Sequence, residues 1–407
     1  MKIKFYWLQV LVLFFVPKMH AVVSNGQQNI NISWSLNDVT YIYPLPKSIY
    51  ENNLLQLKTQ ALGGELLPLR IVKKFPTMSL THIQEDLIRD MRVVAIRIDP
   101  CFPLPTPASC QKQIRMVWQP VYADAQGKIT TVDVALHSFY VLNDEDFESL
   151  LLDLKQWKAK FSHLNADKEQ SHDEALDIHP LLKSDVALKE FEKIMTLYSG
   201  EKNISRVTAM ILRRMGDVWA FLGLNIKPEG QLLSPIQIPR LDKDVQAQLF
   251  FSSLESETDF LAAVVNPAPV VEGPDLSLFI ENSKTFSENQ LVETLKSSLQ
   301  IENPQLFNPE NMDCVNCHVA QSSREWIAAK FQKEGVKIDE TLFSDFKYKN
   351  SKYNLENKSV QKFNTQQTRA LGYFKDQLAV SQRVINESAE VADSLNIYEE
   401  NYKQRKK

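Results

Sequence analysis

Residues 314–318 read Cys-Val-Asn-Cys-His. Two thiols three positions apart lie on one side of a helical turn, so both can add to the two vinyl groups of a single haem. The histidine directly after the second thiol is placed to ligate the iron as the proximal ligand. The spacing predicts one covalently bound haem c, with Cys314 and Cys317 as attachment points and His318 as the axial metal ligand. Zinc is the rival use of such residues. A structural zinc site takes four ligands, usually as two cysteine pairs. Here only Cys314, Cys317 and His318 cluster, and the other two cysteines lie far upstream. The chain contains no Gly-rich phosphate loop, no Gly-x-Ser-x-Gly elbow and no His-Glu-x-x-His pair.

The Cys314–His318 pentamer resembles that of c-type cytochromes. The likeness covers the motif residue by residue, and roughly the last third of the chain has room for the domain around it. It implies covalent haem, electron transfer and a mainly helical haem-binding domain. The wider chain is also similar to exported bacterial proteins that carry a single motif of this kind. Many small c-type cytochromes place a methionine some tens of residues after the motif as second axial ligand. This chain has neither Met nor His after His318. The second ligand is therefore upstream, with Met210, Met215 and His179 as candidates, or it is a local Lys, Tyr or Asn, or it is missing. The upstream histidines His82, His137, His163, His172 and His179 show no metal spacing to one another.

Haem c attached outside the cytoplasm requires export, and the N-terminus supplies the signal for it. Lys2 and Lys4 precede an almost wholly apolar run, Phe5 to Val16, with Ala21 and Ser24 as cleavage positions. This is the pattern of a secretory signal peptide over residues 1–24. The run is shorter than the roughly 20 apolar residues that span a bilayer, which disfavours an uncleaved anchor. No later segment approaches that length, so no transmembrane segment is expected after cleavage. Cys101 and Cys110 bracket a loop containing three prolines. An oxidising compartment favours closing it as a disulfide, worth roughly 2–3 kcal/mol by loop-closure entropy. Removing residues 1–24 takes away Lys2, Lys4 and Lys18 and no acid, leaving acidic residues in excess. That excess argues against nucleic acid as a partner.

The elements that must position the motif follow from hydrophobic period. Alternation at Ile30, Ile32, Trp34 and Leu36 predicts a strand over 28–36, and similar patterns predict strands over 91–98, 113–121 and 129–141. Asn143 caps a helix with Phe147, Leu150, Leu151, Leu154, Trp157 and Phe161 on one face. A helix near 180–198 precedes strands at 205–213, 217–226 and 245–251. Arg92-Val93-Val94-Ala95 recurs loosely as Arg206-Val207-Thr208-Ala209, which raises a duplicated α+β unit. Beyond the Pro- and Gly-containing stretch 266–275 the pattern turns helical. Ser287 and Gln290 form one capping box, Asn308-Pro309 starts a helix into the haem motif, and Ser322 with Glu325 opens another ending at Gly335. The face carrying Trp326, Ile327 and Phe331 suits a haem-pocket wall or ordinary core. Residues 340–366 read as loop, and a last helix runs near 379–396.

The expected fold is therefore α+β. A signal peptide (1–24) precedes a mixed sheet-and-helix region (25–265, as one unit or as 25–165 and 166–265). A linker (266–275) then leads to a mainly helical, cytochrome-c-like haem-binding domain (276–407). The expected function is periplasmic electron transfer in a bacterial envelope through one haem c, with a redox protein as partner. The alternatives are a five-coordinate haem sensor or peroxidase-like enzyme, and a partner-binding envelope protein with haem as relay.

Overall fold

The computed structural model describes residues 33–48, 54–79, 82–102, 110–165, 174–213, 218–227, 233–252, 263–359, 368 and 370–405. The signal peptide, Met215 and His172 lie outside the described residues. Residues 32–407 form one compact unit.

The chain opens with α1 (Leu36–Val39), β1 (Thr40–Ile42), a small hairpin of β2 (Gln60–Ala61) and β3 (Gly64–Glu65), α2 (Leu69–Val72) and α3 (Gln84–Asp90). Then come β4 (Met91–Phe102), β5 (Gln111–Ala123), β6 (Ile129–Thr131), β7 (Ala135–Leu142), α4 (Asp144–Phe161) and α5 (Asp185–Tyr198). Five more strands follow: β8 (Ile204–Arg213), β9 (Val218–Ile226), β10 (Leu233–Pro235), β11 (Ala247–Phe251) and β12 (Val264–Asn266). The remainder holds α6 (Ser277–Asn282), α7 (Glu288–Glu302), α8 (Cys314–Glu334), a hairpin of β13 (Leu371–Phe374) and β14 (Gln377–Val380), and α9 (Gln382–Arg405).

Ten strands build one antiparallel sheet in the order β1-β4-β5-β7-β8-β9-β11-β12, with β6 added to β5 and β10 to β9. Strands β4, β5, β7, β8 and β9 are long because their runs of branched and aromatic residues pack on both faces. Period-two alternation then sorts the side chains. On β7, Leu136, Ser138 and Tyr140 face one layer, where α4 and α5 cover the sheet. Trp118 donates to Ser138 (2.8 Å), Ser138 to Tyr140 (3.0 Å) and Tyr140 to the Leu66 carbonyl (2.7 Å), so the polar groups of this layer satisfy one another. Ala135, His137 and Phe139 face the opposite layer, made by the starts of α8 and α9. Asn143 caps α4 by accepting from Asp146 N–H at 2.8 Å, and all six apolar residues expected on its face are buried. Arg92 and Arg206 each lie in a strand that follows a helix, β4 after α3 and β8 after α5.

The fold class expected from sequence needs correction. Residues 276–407 do not form a mainly helical, cytochrome-c-like domain. Their helices lie on the large sheet, and the region adds strands of its own, β13 and β14. The apolar faces of α6, α7 and α8 meet Trp219, Phe221 and Phe250 of β9 and β11. Phe279 stacks edge-on to Trp326 at 5.4 Å, so Trp326, Ile327 and Phe331 are core between helix and sheet. Helix α9 packs on β4, and Gln119 of β5 clamps the hairpin by donating to the Tyr373 carbonyl (3.1 Å) and accepting from Tyr373 N–H (2.7 Å).

Three local expectations also change. The described part of 28–36 is not a strand: Leu36 starts α1 behind Ser35. Asn308 heads a turn rather than a helix, its side chain accepting from Glu310 N–H at 2.7 Å. Helix α8 runs unbroken through Ser322 and Glu325, because Val319, Ala320 and Ile327 are buried on both sides of that local stop signal.

Candidate functional site

The motif occupies the first turn of α8. Cys314, Cys317 and His318 are half-buried, whereas Val315, Asn316, Val319 and Ala320 are fully buried. The two residues between the cysteines are thus the anchors. Asn316 donates to Asp275 (3.0 Å) and its carbonyl oxygen accepts from Leu276 N–H (2.8 Å). Asp313 caps the helix, accepting from Asn316 N–H (3.1 Å), from Gln248 of β11 (2.8 Å) and from Arg240 (3.4 Å). Gln248 also accepts from Val315 N–H (2.9 Å). With one side of the turn pinned to β11, the thiols and the imidazole face the other way.

They face a cavity of about 190 Å³ that opens to solvent. Its floor is the face of β5, β7, β8 and β9 that carries Arg115, His137, Phe139, Arg206, Thr208, Met210 and Phe221. The register explains the grouping. Arg115 pairs with Phe139 and Phe139 with Arg206, while His137 pairs with Thr208, and Thr208 with Gly223. At Gly223 a Cβ would sit 2.4 Å from Ile236 Cδ1, so the missing side chain leaves room for Ile236 to pack over that edge. Arg383, Val384 and Glu387 of α9 supply the opposite rim.

His318 Nδ1 is hydrogen-bonded to the Thr368 carbonyl, so Nδ1 carries the proton and Nε2 keeps its lone pair. Its ring lies 4.6 Å from that of Phe221. Burial pushes the Cys314 thiol up to about 12, with Asp313 adding to it, and burial pushes Cys317 up to about 11. Both sulfurs are therefore thiols at neutral pH.

Beneath the cavity lies a buried charge network. Asp99 accepts from Arg97 (2.7 Å) and Arg115 (3.4 Å), and Glu387 accepts from Arg97 and from Arg383 (2.9 Å). Burial opposes ionising Glu387, yet Arg97, Arg383 and Arg115 hold its carboxyl down at about 2. Three guanidinium groups thus stand against two carboxylates. Burial, then Arg97, lowers Arg115 to about 10, which still leaves it charged at neutral pH. Arg206, hydrogen-bonded to Asn225 at 3.2 Å, adds another cation to the lining.

Of the upstream candidates for a second ligand, Met210 lines this cavity and His179 does not. His179 is packed 5.1 Å from Tyr41, and its Nδ1 accepts from Leu181 N–H at 3.2 Å. Sequence reasoning passed over His137, Arg115, Arg206 and Arg383. The signal was the alternation on each strand, legible only once neighbouring strands are in register. Cys101 and Cys110 form a disulfide that closes the β4–β5 connection. Among the described residues no helix is long and apolar enough to cross a membrane. No protein-family model, curated protein or solved structure matches the chain.

Proposed function

We propose that this chain is an exported, monohaem c-type protein of the bacterial periplasm that transfers electrons to or from a redox partner protein. The observation that carries the reading is that Cys314, Cys317 and His318 open together onto one cavity with an apolar wall and a cationic floor. The residues fit the group on their chemistry. Two thiols stand at the attachment spacing, and the imidazole has its Nδ1 fixed by the Thr368 carbonyl. Phe221, Met210, Leu371 and Val384 would flank the macrocycle, and Arg115, Arg206 and Arg383 would receive its two carboxylates. Haem held here supplies one-electron oxidation and reduction. The protein's part is to orient His318, limit water access and place positive charge beside the group, which favours the reduced state less than a bare cationic site would once carboxylates bind. The Cys101–Cys110 disulfide accords with an oxidising compartment.

Expression with a haem-c assembly system tests this. The purified protein should be coloured and keep its haem through denaturation and acid–acetone extraction. Changing Cys314 and Cys317 together to Ala should release it. A colourless native protein carrying stoichiometric zinc would overturn the reading.

A further inference from the structure

The cavity that holds the motif also holds a second imidazole. His137 sits mid-strand on β7, between Val117 and Thr208, and faces the same space as His318. Both imidazoles line the one cavity, His137 from the sheet and His318 from the first turn of α8. His137 is half-buried, and among the described residues neither of its ring nitrogens is hydrogen-bonded to another protein group.

The other donors are worse placed. Met210 Sδ accepts from the Thr368 hydroxyl at 3.4 Å, and Met312 Sδ from Arg240 at 3.4 Å. His179 lies in a different core, against Tyr41 and Trp157. Gln248 and Asp313 tie α8 directly to β11, so sheet and motif share one site.

We infer that His137 is the second axial ligand, so that the iron is held between β7 and the first turn of α8. This rests on the haem reading above. It makes the site a six-coordinate electron carrier and closes it to small gases and peroxide.

The test is spectroscopic. The wild-type protein with covalent haem should be low-spin in both oxidation states, and the ferrous form should not bind carbon monoxide under native conditions. His137→Ala should keep its covalent haem, turn high-spin, bind carbon monoxide, and regain a low-spin spectrum on adding imidazole. His137→Met, which retains a donor, covers the case in which the alanine variant fails to fold: it should stay low-spin with a shifted potential. Met210→Leu, which removes the rival donor, should remain low-spin in both oxidation states. A wild-type protein that is high-spin and binds carbon monoxide overturns the inference and leaves the haem reading standing. So does a low-spin spectrum that survives His137→Ala or is lost in Met210→Leu. A protein without covalent haem removes both.

Discussion

Glu192 on α5 is ionised in water at neutral pH, yet it is only 9 % exposed here and its Oε1 has no hydrogen-bond partner among the described residues. Burial raises its carboxyl to about 8, against weaker lowering by the Leu55 backbone and Lys189. A carboxyl whose pKa is raised on folding stabilises the fold fully below the unfolded value, and that contribution is lost as pH climbs through the folded one. His179 acts with the opposite sign. Burial lowers it to about 4, so its stabilisation is complete above about 6.5 and lost as pH falls toward 4. Between about pH 6.5 and 8 only the Glu192 slope of this pair remains. Stability should therefore decline over that window by an amount on the order of a few kcal/mol. In Glu192→Gln the decline should be shallower, with the part from Glu325, raised to about 7 by burial, remaining, so its melting temperature should exceed wild type at pH 8. Equal slopes for the two proteins in thermal melts across pH would refute this. At this scale the sequence is a partial guide. Cys314, Cys317 and His318 stand out in the sequence as one Cys-x-x-Cys-His run, and the structure opens all three onto one cavity. His137 and the arginines do not stand out, because their meeting depends on register between strands.

Elements were legible where one period dominates. Strands β4, β5, β8 and β9 and helices α4 and α7 lie within a few residues of their expected positions, and the Ser287–Gln290 capping box is present. The β13–β14 hairpin escaped notice because each strand is four residues long and Lys375, rather than Gly or Asn, takes the left-handed turn position. Helix α8 was read as two pieces because Ser322 and Glu325 imitate a start. Glu325 instead accepts from Gln321 at 2.8 Å within the helix. The start that matters is Asp313, fully buried and shared by Asn316, Gln248 and Arg240. Asp313→Ala should destabilise the protein by roughly 2–4 kcal/mol, the sum of a lost cap and newly unsatisfied buried donors. Asp313→Asn, which keeps the cap, should cost clearly less in denaturant titrations. Equal costs would mean that the cap is not what anchors the turn.

Over the whole molecule, the two ends of the described chain hold one another. Trp34 donates to Glu399 (2.7 Å), Asn396 donates to the Trp34 carbonyl (3.1 Å), and Thr40 bonds Ser388 (2.7 Å). Tyr398 reaches Glu148 of α4 at 2.7 Å. Such links predict one cooperative unfolding transition for residues 32–407, with tryptophan fluorescence and far-ultraviolet circular dichroism coinciding. Two separated transitions would refute it, and deleting the chain after Ser381 should abolish the transition rather than leave a folded N-terminal part. The sheet order was the least legible feature, because pairing partners are set by packing across the molecule and not by local pattern. That order also has a temporal side. From β4 to β12 the main path joins strands that lie near one another in sequence, so most of the sheet can grow by short-range steps. Helix α9 must instead return to β4 and α1, closing a loop that spans most of the chain. It is also synthesised after every other element. The wall bearing Arg383 and Glu387 therefore arrives last, and until it docks the cysteine pair stands open to solvent.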